Sequence, residues 1–304
     1  MRGHPSISAE IRRRAEERDA VILAHNYQRS DVQDVADYVG DSLGLSRQAA
    51  ATSARIIVFA GVHFMAETAK ILSPDKTVLL PEPSAGCPMA DMMTADELAS
   101  WREANPGVPV VTYVNSTAAV KALSDVCVTS ANAVSVVRSL AAPKVLFGPD
   151  RNLASWVARA LPEVEVIPWE GYCPIHEDVS PEEVRSAIEA HPEAEVLVHP
   201  ECRPEVVEIA DAVLSTSQMI AHAASSSSKA FIVVTEEGLL HALAKAAPGK
   251  RFYHIQPAML CPNMKVTTLA KVRDSLALTQ YPIEVDADVR LRALSAVERM
   301  IAIG

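Results

Sequence analysis

The sequence predicts an α/β fold made of three similar small parallel-sheet domains related by pseudo-threefold symmetry. Three observations lead there. Apolar strand-like runs alternate with helix-patterned segments along the chain. The alternation recurs with a period near 87 residues, and each recurrence ends on a Cys-Pro pair. Continuous Val/Ile/Leu strands joined by helices are the mark of parallel sheets covered on both faces.

The elements follow in order. An Arg- and Glu-studded helix over 5–19 precedes the first strand, Val21 to His25. Similar runs lead to Asn26, Asn115 and Glu201, which are 89 and 86 residues apart. From these three positions the next apolar runs end 35, 33 and 35 residues later, at Gly61, Gly148 and Glu236. Ser42, Ser130 and Thr216 come 16, 15 and 15 residues after them, and Cys87, Cys173 and Cys261 come 61, 58 and 60 after. Val32, Val35, Ala36 and Val39 predict a helix over 31–40. Further helices are expected over 62–72, stopped by Pro74, over 149–161, and over 237–247, ended by Pro248-Gly249. Thr94-x-x-Glu97 and Ser180-x-x-Glu183 are capping-box patterns. Ser225 to Ser228 reads as a loop. The repeats are therefore placed at 20–87, 88–173 and 174–261. A closing helical segment fills 262–304, and the helices over 5–19 and 286–303 are expected on the first repeat.

Composition narrows the function. With 28 Lys+Arg against 38 Asp+Glu, the 304-residue chain carries a net charge of −10. That argues against a nucleic-acid partner, whose footprint is a basic stripe. A hydrophobic content of 49% with 22% charged residues excludes wholesale disorder. No apolar run reaches the ~18 residues of a membrane helix. The first 19 residues hold no apolar targeting segment, and the five cysteines are odd in number and widely spread. A reducing, cytoplasmic setting is expected.

Ligands of open α/β sheets gather beyond the carboxyl ends of the strands, where each repeat carries its polar residues. Cys87, Cys173 and Cys261 would converge there. Soft thiolates suit zinc or an iron–sulfur cluster. Structural zinc favours close C-x-x-C pairs, and none is present. A cubane cluster normally has four cysteine ligands, so three would leave one iron open as a Lewis acid. Buried core cysteine is the alternative, and it is the reading for Cys127 and Cys202, which lack both the proline and the phase. Ser42, Ser130 and Thr216 read as helix N-caps or as parts of an anion site. His25 and His199 at strand ends, and His176 three residues after Cys173, read as functional. His4, His191, His222 and His254 read as structural, with His63 and His241 between the two groups. Glu201 is the candidate general base, and Tyr27 and Tyr113 either move protons or pack. Asp150 and Arg151 read as a cap and a solvated charge.

Ala24-His25-Asn26-Tyr27-Gln28, Gly40-Asp41-Ser42, Tyr113-Val114-Asn115-Ser116, Thr129-Ser130-Ala131-Asn132, Phe147-Gly148-Pro149-Asp150-Arg151-Asn152, His199-Pro200-Glu201-Cys202 and Cys261-Pro262-Asn263-Met264-Lys265 together closely resemble the quinolinate synthase family, in order, over nearly the whole chain. The resemblance implies condensation of iminoaspartate with dihydroxyacetone phosphate to quinolinate, the precursor of the pyridine ring of NAD. It implies a [4Fe–4S] cluster on Cys87, Cys173 and Cys261, held among three related α/β domains. It places His25, Tyr27, Ser42, Tyr113, Asn115, Ser130, His176, His199, Glu201 and Thr216 around the substrate, with Glu201, Tyr27, Tyr113 and His199 in proton transfer. An aspartate oxidase or dehydrogenase would supply the imine. The rival readings are an open-iron hydro-lyase acting on a hydroxy acid and a non-enzymatic metal or redox sensor. Three departures stand out. Ser217 replaces a glycine expected in many relatives, the Ser225 to Ser228 run is unusual, and the Cys-x-x-Cys pair that some members carry at the last ligand is absent, so no disulfide switch is expected.

Overall fold

In a computed structural model that describes residues 6–303, twelve strands form three separate four-stranded sheets, all parallel. The first holds β1 (Ala20–His25), β2 (Tyr38–Gly40), β3 (Ile56–Ala60) and β4 (Thr77–Leu79) in the order β2-β1-β3-β4. The second holds β5 (Val110–Tyr113), β6 (Val126–Val128), β7 (Lys144–Gly148) and β8 (Glu165–Pro168), ordered β6-β5-β7-β8. The third holds β9 (Glu195–Val198), β10 (Ala212–Val213), β11 (Ala230–Val234) and β12 (Arg251–His254), ordered β10-β9-β11-β12. Each sheet repeats one strand order, as the α/β reading of three similar units requires. β3 and β11 are buried along their whole length, because helices cover both faces of a parallel sheet. Among the described residues, no helix is long and apolar enough to cross a membrane.

Matched aspartate side chains on the Ile22, Val110 and Val196 amides fix the register of the repeat and correct the reading by residue identity. In that register Ala24 pairs with Ala60, Thr112 with Gly148 and Val198 with Val234. The matched positions are therefore Tyr27, Asn115 and Glu201, with Tyr27 rather than Asn26 in the first repeat. In this register Ser42, Ser130 and Thr216 each follow by 15 residues. The aspartates are Asp37, Asp125 and Asp211. Each aspartate takes the amide of the central strand, at Ile22, Val110 and Val196, at 2.8, 2.7 and 2.8 Å. Each aspartate amide returns a bond to the same residue's carbonyl.

This staple explains why the helix expected over 31–40 stops early. The helix is Ser30–Val35, Ala36 is already extended, and Tyr38–Gly40 pairs with β1 instead. Asp37 binds Ile22 and also pairs with Arg12 at 2.7 Å. That tertiary pairing outweighs the weak helical spacing of Val39. Other helices begin later than expected, at His63–Leu72, Arg151–Ala160 and Leu239–Ala246. Both expected capping boxes form, and a third, Ser215 with Gln218, opens Thr216–Ser225. Ser217 sits inside that helix, where a serine is tolerated. Ser225 is its last residue, and Lys250 Nζ donates to the Ala223 and Ser226 carbonyls at 2.5 and 2.6 Å, closing the helix end.

The N-terminal helix is Ile7–Glu17; His4 and the first position of the helix expected over 5–19 lie outside the described residues. Ile11 and Ala15 pack with Ile22, Val58, Val272 and Leu276, so this helix and Leu269–Leu278 cover one face of the first sheet. The last helix, Ala287–Ala302, is capped by Asp286. It lies against His63–Leu72 of the first repeat and also against β6 and Ala118–Lys121 of the second. Ala293, Ala296, Val297 and Met300 join the core shared by those two repeats. Arg47 holds the Ile301 carbonyl from one side, and Asn132 holds those of Met300 and Ile303 from the other.

Candidate active site

The carboxyl ends of the three sheets open onto one cavity of about 200 Å³. Matched positions arrive there in sets of three. His25 and Tyr113 end their strands, and His199 follows β9. Tyr27, Asn115 and Glu201 come two residues further on. Ser42, Ser130 and Thr216 form the next set, and Cys87, Cys173 and Cys261 the last. All twelve line the cavity, and His176 joins them. Every site residue expected from the sequence is thus on its wall.

Glu201 is the hub. The Tyr113 hydroxyl donates to its Oε1 at 2.6 Å, and His176 Nδ1 is 2.8 Å from Oε2. His199 Nδ1 is 3.7 Å from the same oxygen. On its far side His176 Nε2 is 2.9 Å from Thr235 Oγ1, which is 2.6 Å from the Tyr27 hydroxyl. A continuous polar chain therefore runs Tyr113–Glu201–His176–Thr235–Tyr27. Burial works to raise the pKa of Glu201, but His176 and the bonds Glu201 accepts from His176 and Tyr113 help to outweigh it, and the carboxyl is held below its ordinary range. Burial, then the Glu201 charge, holds Tyr27 and Tyr113 well above their ordinary range, so both keep their protons. Burial drives His25 and His199 down to about 3, which leaves the rings neutral near pH 7. Their Nδ1 atoms accept the Tyr27 and Glu201 amides at 3.2 and 3.3 Å. This assigns the ring proton to Nε2 in both.

The Cys-Pro pairs have a local cause. Each cysteine immediately precedes a short helical turn, Pro88–Asp91, Pro174–Glu177 or Pro262–Lys265. Proline suits the first helical position because its missing N–H has no intrahelical partner there. Burial raises all three thiols, Cys87 to about 12. Beyond burial, Cys261 makes ionisation of Cys87 harder and Cys87 that of Cys173, so the three share one electrostatic neighbourhood. All are free of disulfides. Cys127 and Cys202 are 0% and 1% exposed in apolar cores, as their lack of phase predicts. Cys173, His176 and Glu201 also place one ligand atom each within 4.8 Å of one another.

Several local readings change. Asp41 and Ser215 cap the helices Ser42–Ala51 and Thr216–Ser225, so Ser42 and Thr216 are their first residues rather than caps. Their hydroxyls are released from capping, and Thr216 Oγ1 accepts from Asn26 at 2.9 Å. Asp150 does cap Arg151–Ala160, but it is fully buried; burial, then Glu201, pushes its carboxyl up. Arg151 is no solvated charge. It pairs with Glu177 at 2.7 Å and stacks over Tyr172. His222, His241 and His254 are engaged by Glu195, Asp34 and backbone carbonyls, and His191 stacks on Tyr253. His63 sits 3.9 Å from Glu67. The sequence marks no role for Thr235, and none for Asn152 beyond its place in a family motif. Asn152 fixes the Glu201 carbonyl at 3.0 Å, and neither residue has a distinctive spacing.

The comparisons agree with this geometry. The family model for "Quinolinate synthetase A protein" matches residues 9–302. A quinolinate synthase of Thermodesulfovibrio yellowstonii is 53% identical over 294 residues, 97% of each chain. Those of Methanoregula boonei and Methanosarcina barkeri are 53% and 54% identical over 98% and 94% of each chain. With the sequence matched over nearly its whole length and the expected residues gathered on one cavity, the chain belongs to the quinolinate synthase family.

Proposed function

We propose that this chain condenses iminoaspartate with dihydroxyacetone phosphate to quinolinate, releasing phosphate and water, in the cavity where the three sheets meet. The observation that carries the reading is the arrival of three matched Cys-Pro loops beside the Tyr113–Glu201–His176 constellation. The donor set fits a [4Fe–4S] cluster on Cys87, Cys173 and Cys261. The thiols come from three separate loops, and the two other cysteines are spent in cores. Bound there, the cluster supplies a Lewis-acidic iron that polarises a substrate oxygen.

The chain's own groups do the rest. Ionised Glu201 accepts a proton, and Tyr113 or Tyr27 donates one along the buried chain. Neutral His25 and His199 donate Nε2–H to substrate oxygens. Ser42 and Thr216, each at the start of a ten-residue helix, hold phosphate and then carboxylate together with Ser130. Asn115 Oδ1 is buried without a partner and accepts a substrate N–H.

On the same reading the domains divide at 87/88, 173/174 and 261/262 about a pseudo-threefold axis. The protein works in the cytoplasm, with an aspartate oxidase or dehydrogenase as supplier of the imine. The test is anaerobic reconstitution followed by a quinolinate assay with both substrates. Quinolinate formation supports the proposal. Dehydration of a hydroxy acid without it supports a hydro-lyase, and a stable cluster with no turnover supports a sensor.

A further inference from the structure

The register set by the aspartates brings one more set together: Val62, Asp150 and Glu236, each 35 residues after Tyr27, Asn115 and Glu201. The amide of the next residue ties the cysteine loop in every repeat. His63 donates to the Ala85 carbonyl, Arg151 to that of Gly171 and Glu237 to that of Met259, at 2.8, 2.8 and 2.9 Å. The cysteine follows that carbonyl by two residues each time. In the second and third repeats the matched side chain is a carboxylate that takes the cysteine's own amide. Asp150 Oδ2 accepts from Cys173 N, and Glu236 Oε1 from Cys261 N, both at 3.1 Å. The other oxygen of each is also engaged, by Leu153 N at 2.6 Å and by Gly238 N at 2.7 Å. Lys265 pairs with Glu236 at 2.7 Å. Both carboxylates are at most 1% exposed. Burying such a group is costly unless its oxygens are satisfied, and here both are satisfied at one repeat position. The first repeat has apolar Val62 instead, and its loop is tied to the third through Asn263, which donates to the Gly86 carbonyl at 2.8 Å.

We propose that Asp150 and Glu236 are positioning residues that fix the Cys173 and Cys261 loops for cluster binding, while the Cys87 loop, tied by the His63 amide and by Asn263, has no carboxylate on its cysteine amide. This rests on the reading that these cysteines bind the cluster. Asparagine or glutamine would keep the shape but offer one acceptor oxygen, and would turn an amide N–H₂ toward a backbone N–H.

The test compares Asp150→Asn and Glu236→Gln with the parent protein after anaerobic reconstitution. Iron content, the EPR signal of the reduced cluster, the rate of iron transfer to a chelator and the melting of the cluster-free protein are measured. Cluster loss about tenfold faster with an altered EPR signal is expected, as for other groups that orient metal ligands. Parental release rates and spectra would overturn the proposal. A parent that takes up no cluster would instead overturn the cofactor reading. Hydrogen exchange on the unmodified cluster-free chain decides the matter even if a variant fails to fold. The Cys173 and Cys261 amides are expected to be protected at least about tenfold over that of Cys87; equal exchange at all three contradicts the proposal.

Discussion

Tyr113 Oη lies 2.6 Å from Glu201 Oε1, joining the carboxyl end of the second sheet to that of the third. The bond crosses from one repeat to another, whereas His176 reaches the other Glu201 oxygen from within the third repeat. On the proposed function, this bond keeps a proton beside the base, Glu201.

Tyr113→Phe is therefore expected to lower kcat about 100-fold with a small change in KM, the size of effect typical of a lost acid–base group. Glu201→Gln is expected to remove turnover while leaving the cluster's visible absorbance intact. Steady-state quinolinate formation and absorbance, measured together, check both. Retained activity in Glu201→Gln removes the residue from the mechanism.

Single replacement of Cys87, Cys173 or Cys261 by Ala is expected to abolish the visible absorbance of the reconstituted protein. Cys127→Ala is expected to keep it and to cost about 1 kcal/mol of stability, as a small core deletion does. Equal loss of absorbance from Cys127→Ala would refute the ligand assignment.

The buried neutral rings give the cluster-free fold a pH dependence. His25 and His199 have folded pKa values near 3 against 6.5 when exposed, so the unfolded chain binds more protons between those values. Their contribution is complete above about pH 6.5 and is lost as pH falls toward 3. The loss is up to roughly 1.4 kcal/mol per pH unit for each ring. Urea midpoints at pH 7 and pH 4.5 should drop accordingly for the parent, and less for the His25→Gln, His199→Gln double variant. Equal drops would contradict the assignment.

The aspartate staples make a prediction about the fold alone. Asp125→Asn and Asp211→Asn each weaken a hydrogen bond to a central-strand amide and are expected to cost about 1 kcal/mol. Denaturant unfolding measures this, and no change in either would deny the staple its role.

Much of this was legible before the coordinates. The three Cys-Pro pairs, the two capping boxes and the strand-end histidines follow from residue chemistry that acts over a few positions. The register was less so. Asn26 resembles Asn115, but it is the aspartate bonded to each first strand, not the side chain beyond the strand, that aligns the repeats, and it sets Tyr27 against Asn115. Val32, Val35, Ala36 and Val39 carry a true helical spacing, yet β2 takes Tyr38–Gly40 because Asp37 reaches Ile22 on another element. Thr235 and Asn152 act through contacts with residues 59 and 49 positions away, and no local pattern marks such partners. Asp150 showed only its capping half, because its second bond needs the cysteine loop folded beside it.

The central claim is that three thiols from three repeats hold a cluster with one iron left for the reactants. Mössbauer spectroscopy of the anaerobically reconstituted protein, with and without quinolinate, tests it most directly. About four irons per chain in one cluster are expected, with a single iron site altered by quinolinate. A zinc-loaded or two-iron protein, or four irons indifferent to quinolinate, would contradict it.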